Sequence, residues 1–114
     1  MEIDTHLEEN IIIIKPQGDY TDMYSEKLRV HEVVKNHIEK GYKNYVLYLD
    51  EVDFLDSSGV GDIFASYTSL NEAGCKLTTV VTQRRIRLIF HVIQAEELLG
   101  CVDSIDEAKS RLLP

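Results

Sequence analysis

Apolar positions in this chain change period several times, and each change predicts an element. Ile11 to Ile14 is the longest aliphatic run, apolar on both faces, as expected of a strand covered from two sides. Residues 2–8 and 10–17 predict two short strands around a tight turn at Glu9-Asn10, with Pro16 and Gly18 ending the second. From Tyr20 to Lys40 the spacing becomes helical. Met23, Val30, Val33, Val34 and Ile38 share one side, while Glu26, Lys27, Arg29, Glu32, Lys35 and Glu39 lie mostly on the other. Thr21 or Asp22 can cap that helix, and Gly41 is placed to stop it. Asn44 to Leu49 reads as a central strand.

Further on, Val60, Ile63, Phe64, Tyr67 and Leu70 recur at spacings of three and four, predicting a helix to about Ala73 that Gly74 stops. Lys76 to Val81 is β-branched and apolar, hence a strand. Thr82 can cap a helix running to about Ile93, with Ile86, Ile89, Phe90 and Ile93 inward. Cys101-Val102 predicts a short last strand. Ser104 and Glu107 form a capping box for a final helix whose apolar side is Ala108, Leu112 and Leu113. Strands that alternate with helices imply right-handed parallel crossovers. The expected fold is α/β: one domain over residues 1–114, a mostly parallel central sheet with helices packed on it. No repeat, linker or low-complexity tract interrupts it.

Composition narrows the function. A net charge of −8 and a pI of about 4.9 disfavour nucleic acid and anionic membrane as partners. No stretch approaches the ~20 apolar residues of a membrane helix. The acidic start Met1-Glu2-Ile3-Asp4 lacks the basic region of a signal peptide. A cytoplasmic protein is expected, with Cys75 and Cys101 as reduced core residues.

Catalytic and cofactor motifs are missing. His6, His31, His37 and His91 show no zinc spacing, so no metal or other cofactor is expected. Gly59-Val60-Gly61 lacks the lysine of a phosphate-binding loop. Ser58 has Asp56, not glycine, two residues before it, so it is not on a nucleophile elbow. His91 is the one histidine left to approach the serines in space. Asp50-Glu51 and Asp53 read as a solvated loop. Arg84, Arg85 and Arg87 oppose the dipole at a helix start. A solvated face is the ordinary reading for them, and a phosphate or partner contact is the sharper one.

What remains is Asp56-Ser57-Ser58-Gly59, where a loop turns into a helix. Asp and Ser cap helix N-termini by accepting the first unpaired N–H groups. The same N–H groups and the dipole can hold a phosphate carried by a serine. Gly59 and Gly61 each cost a helix roughly 1 kcal/mol against alanine, which points to a need for close approach.

Phe54-Leu55-Asp56-Ser57-Ser58-Gly59-Val60-Gly61 resembles the signature of the STAS-domain anti-sigma factor antagonists, bacterial switch proteins phosphorylated on serine. Gly18-Asp19, the apolar strand before the signature and Arg87-Leu88-Ile89-Phe90 extend the resemblance over nearly the whole chain. Thr21 stands where the family usually has an aspartate, with Asp22 one place along. The resemblance implies a binding switch and not an enzyme. Unmodified, such a protein binds an anti-sigma factor that is also a serine kinase, and so frees a sigma factor. Phosphorylation of the serine after the aspartate, here Ser57, ends binding, and a serine phosphatase resets the switch. The expected partner surface comprises Gly18, Asp19, Thr21, Asp22, Asp56, Ser57, Ser58, Gly59, Asp62 and Ser66. Asp62 and Ser66 fall between apolar positions and are expected to face outward. A monomer is expected when free. The alternatives are a STAS scaffold or sensor-complex protein without a phosphorylation cycle, and an enzyme using Ser57 or Ser58 as nucleophile.

Overall fold

A computed structural model describes residues 1–21 and 29–113. Within them the chain begins as a hairpin of β1 (Glu2–Glu8) and β2 (Ile11–Tyr20), paired antiparallel. Glu9 and Asn10 turn it with φ of 53° and 65°, the left-handed pair that a two-residue hairpin loop needs. The helix α1 (Val30–Glu39) leads to β3 (Asn44–Tyr48), and β4 (Val52–Leu55) leads to α2 (Ser57–Glu72). Then come β5 (Lys76–Val80), α3 (Arg84–Val92), β6 (Cys101–Val102) and α4 (Ile105–Leu112). The sheet order is β1-β2-β3-β5-β6, with β4 against the far end of β2. Every pairing but β1–β2 is parallel. The expected α/β architecture is therefore the observed one.

Ile11 to Ile14 serve both faces of the sheet. Ile12 and Ile14 join Val33, Val34, Leu47, Ile63, Leu70, Ile86 and Phe90 under α1, α2 and α3. Ile11 and Ile13 join Val46, Val80, Val102, Ala108 and Leu112 under α4. Full burial of such side chains contributes about 1.5–3 kcal/mol each.

Four sequence expectations change. First, β2 does not end at Pro16 or Gly18 but reaches Tyr20. Gly18, at φ 87°, shifts the register so that the strand leaves β1 and continues on β4, and its N–H donates to Glu51 O at 3.0 Å. Tyr20 is consequently a buried strand end and not the start of a helix. Thr21 is likewise outside any helix, and α1 begins at Val30 with Arg29 as its N-cap. The expected cap at Asp22, and Met23, Glu26 and Lys27, lie outside the described residues.

Second, the stretch expected as an acidic loop contains β4. Its buried residues are Val52 and Leu55, with Asp53 and Phe54 both exposed, so it shows no alternation. Third, Thr82 does not cap α3, whose N-cap is Gln83 without a side-chain bond. The Thr82 N–H and hydroxyl instead donate to the Asp50 carboxylate at 2.7 and 2.9 Å, tying the end of β3 to the start of α3. Fourth, Ile93 lies past α3 and is exposed, whereas Ile86 and Phe90 are buried as expected.

The remaining boundaries agree. Gly41 and Gly74 follow α1 and α2. Ser104 accepts from Glu107 N at 3.1 Å, while Glu107 accepts from Asp103 N at 3.0 Å, one residue before the position a capping box would use.

Candidate functional site

The ends of β2 and β4 lie side by side, Tyr20 opposite Leu55, and α2 starts two residues later. Asp56 is extended, with φ −111° and ψ −171°, and caps α2. Its Oδ1 accepts from Ser58 N at 2.9 Å, Gly59 N at 3.1 Å and Ser58 Oγ at 2.8 Å. The Ser58 hydroxyl and the Gly59 N–H hold this carboxyl below the usual carboxylate range.

The two serines then diverge. Ser58 is half-buried, its Oγ between the Asp56 carboxylate and the Thr21 carbonyl oxygen, and it can donate to one of them at a time. Ser57 is exposed, and its hydroxyl has no hydrogen-bond partner among the described residues. Gly59 is buried, and a Cβ there would run into Tyr20 O and Leu55 Cδ1. A Cβ on Gly61 would meet open space. Within the chain, the close approach inferred from both glycines is met at Gly59, and what approaches there is the β2 backbone.

Under this turn lies a polar cluster. The buried Tyr20 hydroxyl donates to the Asp62 carboxylate, and Arg29 Nε is 3.5 Å from Asp62 Oδ1. Arg29 Nη2 donates to Ser58 O at 3.2 Å, with the guanidinium over the Tyr20 ring, 5.8 Å from its centre. Burial, reinforced by the Asp62 charge, pushes the Tyr20 phenol well above its ordinary value. The Asp62 side chain is only 8% exposed. Ser66 is 2% exposed and donates to Asp62 O at 2.9 Å. Both were expected to face outward, and both face inward. The reason is that α2 is covered on two sides, by the sheet and by α1, whose His31 Nε2 lies 2.7 Å from Ser69 Oγ. Positions between the apolar stripe and the α1 contact are buried despite being polar.

Of the residues singled out from sequence, Gly18, Asp19, Thr21, Asp56, Ser57, Ser58 and Gly59 gather where β2, β4 and α2 meet. Asp19 and Ser57 are exposed there. Asp22 lies outside the described residues. Sequence reasoning missed Tyr20 and Arg29. Arg29 sat among charges assigned to a solvated face, and no pattern marked Tyr20 as a strand end. The expectation of free N–H donors for a phosphate also changes, because Asp56 already occupies those of Ser58 and Gly59.

Other candidates sit elsewhere. His91 pairs with Glu96 at 2.8 Å and not with either serine. Arg87 bonds Val81 O at 2.9 Å and pairs with Asp103 and Glu96, fixing the α3–β6 connection. Cys75 and Cys101 are free thiols, and burial pushes Cys101 up to about 11. Among the described residues no group of three or more His, Cys, Asp or Glu could hold a metal ion, and no helix is long and apolar enough to cross a membrane.

A family model, the STAS domain, matches residues 2–108. Solved structures with the same fold include an anti-sigma factor antagonist from Mycobacterium paratuberculosis, with a TM-score of 0.84 at 16% identity over 99% of this chain and 94% of that one. A putative anti-sigma factor antagonist from Thermotoga maritima scores 0.78 at 18% identity, over 98% and 95%. The Bacillus cell fate determinant SpoIIAA in its phosphorylated form scores 0.65 at 18% identity, over 96% and 98%. Identities this low speak for the fold, while the family model spans almost the whole sequence. The chain belongs to the STAS domain family.

Proposed function

We propose that this chain is an anti-sigma factor antagonist, a single cytoplasmic domain that acts by binding and not by catalysis. Unmodified, it binds an anti-sigma factor that is also a serine kinase. Phosphorylation of Ser57 ends the complex, and a serine phosphatase restores it. The observation that carries this reading is the contrast at the α2 start. Ser57 is exposed with an unengaged hydroxyl, beside a serine whose hydroxyl is committed to the fold. A kinase needs the first kind of serine. Its product adds about −1.5 to −2 charges at one spot. That spot already carries Asp56, the N-cap of α2. A partner that had desolvated a neutral hydroxyl there would face an unpaired anion instead, which is strongly unfavourable.

The partner surface consists of Gly18, Asp19, Thr21, Asp56, Ser57, Ser58 and Gly59, with Asp22 adjoining in sequence. Asp62 and Ser66 support it from below. Intact mass of protein purified from its own host, with and without phosphatase treatment, tests the cycle. One phosphatase-sensitive phosphate per chain is expected. A chain that is never phosphorylated, yet still binds its partners, would instead be a scaffold. Labelling of either serine by a serine-directed reagent would support an activated nucleophile and contradict this reading.

A further inference from the structure

We propose a second interaction surface on the outer face of α3, fitted to an acidic amphipathic helix of another protein. It shares no residue with the surface proposed around Ser57. Six large apolar side chains are exposed among the described residues, and four of them, Leu88, Val92, Ile93 and Leu98, belong to α3 and the turn after it. Leu88 and Val92 are one helical turn apart and 59% and 70% exposed. A fifth, Phe54, is joined to the same region, since Arg85 Nη2 donates to the carbonyl of its neighbour Asp53. Scattered apolar residues need no explanation, but a pair one turn apart on a helix, as Leu88 and Val92 are, beside a groove marks an interaction site.

Charge selects the partner. Arg84 and Arg85 are exposed, flank Leu88, and have no carboxylate partner among the described residues. The third arginine, Arg87, is already neutralised by Glu96 and Asp103, and His91 faces Glu96. Leu88 and these side chains line an open groove of about 520 Å³, enough for one or two apolar side chains of a docking helix. On a chain of net charge −8, residues 84–98 carry three arginines against Glu96 and Glu97, a local excess of one positive charge that sits at the Arg84–Arg85 end. The arginine end of this face attracts an acidic helix.

The test titrates isotope-labelled protein with a synthetic helical peptide bearing leucines at i and i+4 flanked by glutamates. A lysine-flanked version serves as control. Saturable amide shifts confined to residues 84–98 and Phe54 are expected with the acidic peptide alone. Binding should weaken with salt, and roughly tenfold or more in the double variant R84E/R85E and in L88D, both keeping dispersed spectra. Absence of saturable shifts, or an equal response to the lysine peptide, would overturn the proposal. So would peptide-free shifts of the same residues that grow with protein concentration, which would assign the face to a second copy. Cosedimentation with anionic vesicles, lost in L88D, would assign it to a lipid surface and overturn the proposal as well.

Discussion

Ser57 and Ser58 are adjacent in sequence and opposite in environment. The Ser58 hydroxyl is held between Asp56 and the Thr21 carbonyl, while the Ser57 hydroxyl projects into solvent. The direction in which the chain leaves β4 decides this. Asp56 caps the first turn, so the next residue sits on its open side and the one after packs against the end of β2.

Alanine substitutions should separate the two. Ser58→Ala removes a half-buried hydroxyl from two acceptors and should cost about 1–2 kcal/mol. Ser57→Ala should change stability by no more than about 0.5 kcal/mol. Urea unfolding of both variants checks it, and equal losses would contradict the geometry.

The glycines should separate in the same way. Gly59→Ala forces a methyl group onto the Tyr20 backbone and should cost about 3 kcal/mol or more, because backbone cannot yield as a flexible side chain does. Gly61→Ala meets open space inside a helix and should stabilise by about 0.4–1 kcal/mol. Thermal melting of the pair decides this, and a neutral Gly59→Ala would disprove the close approach.

Asp62 holds the polar cluster together. Asp62→Lys places a second cation against Arg29 and strands the Tyr20 hydroxyl, with an expected loss of about 3–5 kcal/mol. Tyr20→Phe removes one buried bond and should cost about 1–2 kcal/mol. A charge reversal at Asp62 that leaves the melting temperature unchanged would return this residue to the surface.

How much of this was legible in the sequence depended on the kind of signal. Regular periods survived: α2, α3, α4, β3 and β5 lie where spacing placed them. Local exceptions did not. A glycine bulge carried β2 past Pro16 to Tyr20, which read as a helix start because its strand partner, β4, is four residues long and does not alternate. A cap at Asp56 or Ser57 was readable, since caps are local chemistry, and the structure gives that place to Asp56. The Tyr20–Asp62–Arg29 cluster was not, since it joins three elements far apart in the chain. Ser66 was misplaced because helical spacing describes one buried face, and α2 has two.

Stability should fall in acid partly through Asp56. Its carboxyl is held low by Ser58 and Gly59, so its contribution is present above the unfolded value of about pH 4 and disappears as pH falls through the lower folded value. Asp56→Asn keeps an acceptor for the cap but removes this titration. The stability gap between wild type and Asp56→Asn should therefore narrow below about pH 4, as followed by urea midpoints from pH 3 to 7. A gap independent of pH would contradict the assignment.

Phosphopeptide mapping tests the proposed switch most directly. Wild type, Ser57→Ala and Ser58→Ala are each incubated with ATP and the host fraction that phosphorylates the wild-type protein. The predicted result is phosphate on Ser57 in wild type, none in Ser57→Ala, and phosphate still on Ser57 in Ser58→Ala. Phosphate on Ser58, or undiminished labelling of Ser57→Ala, would contradict the account.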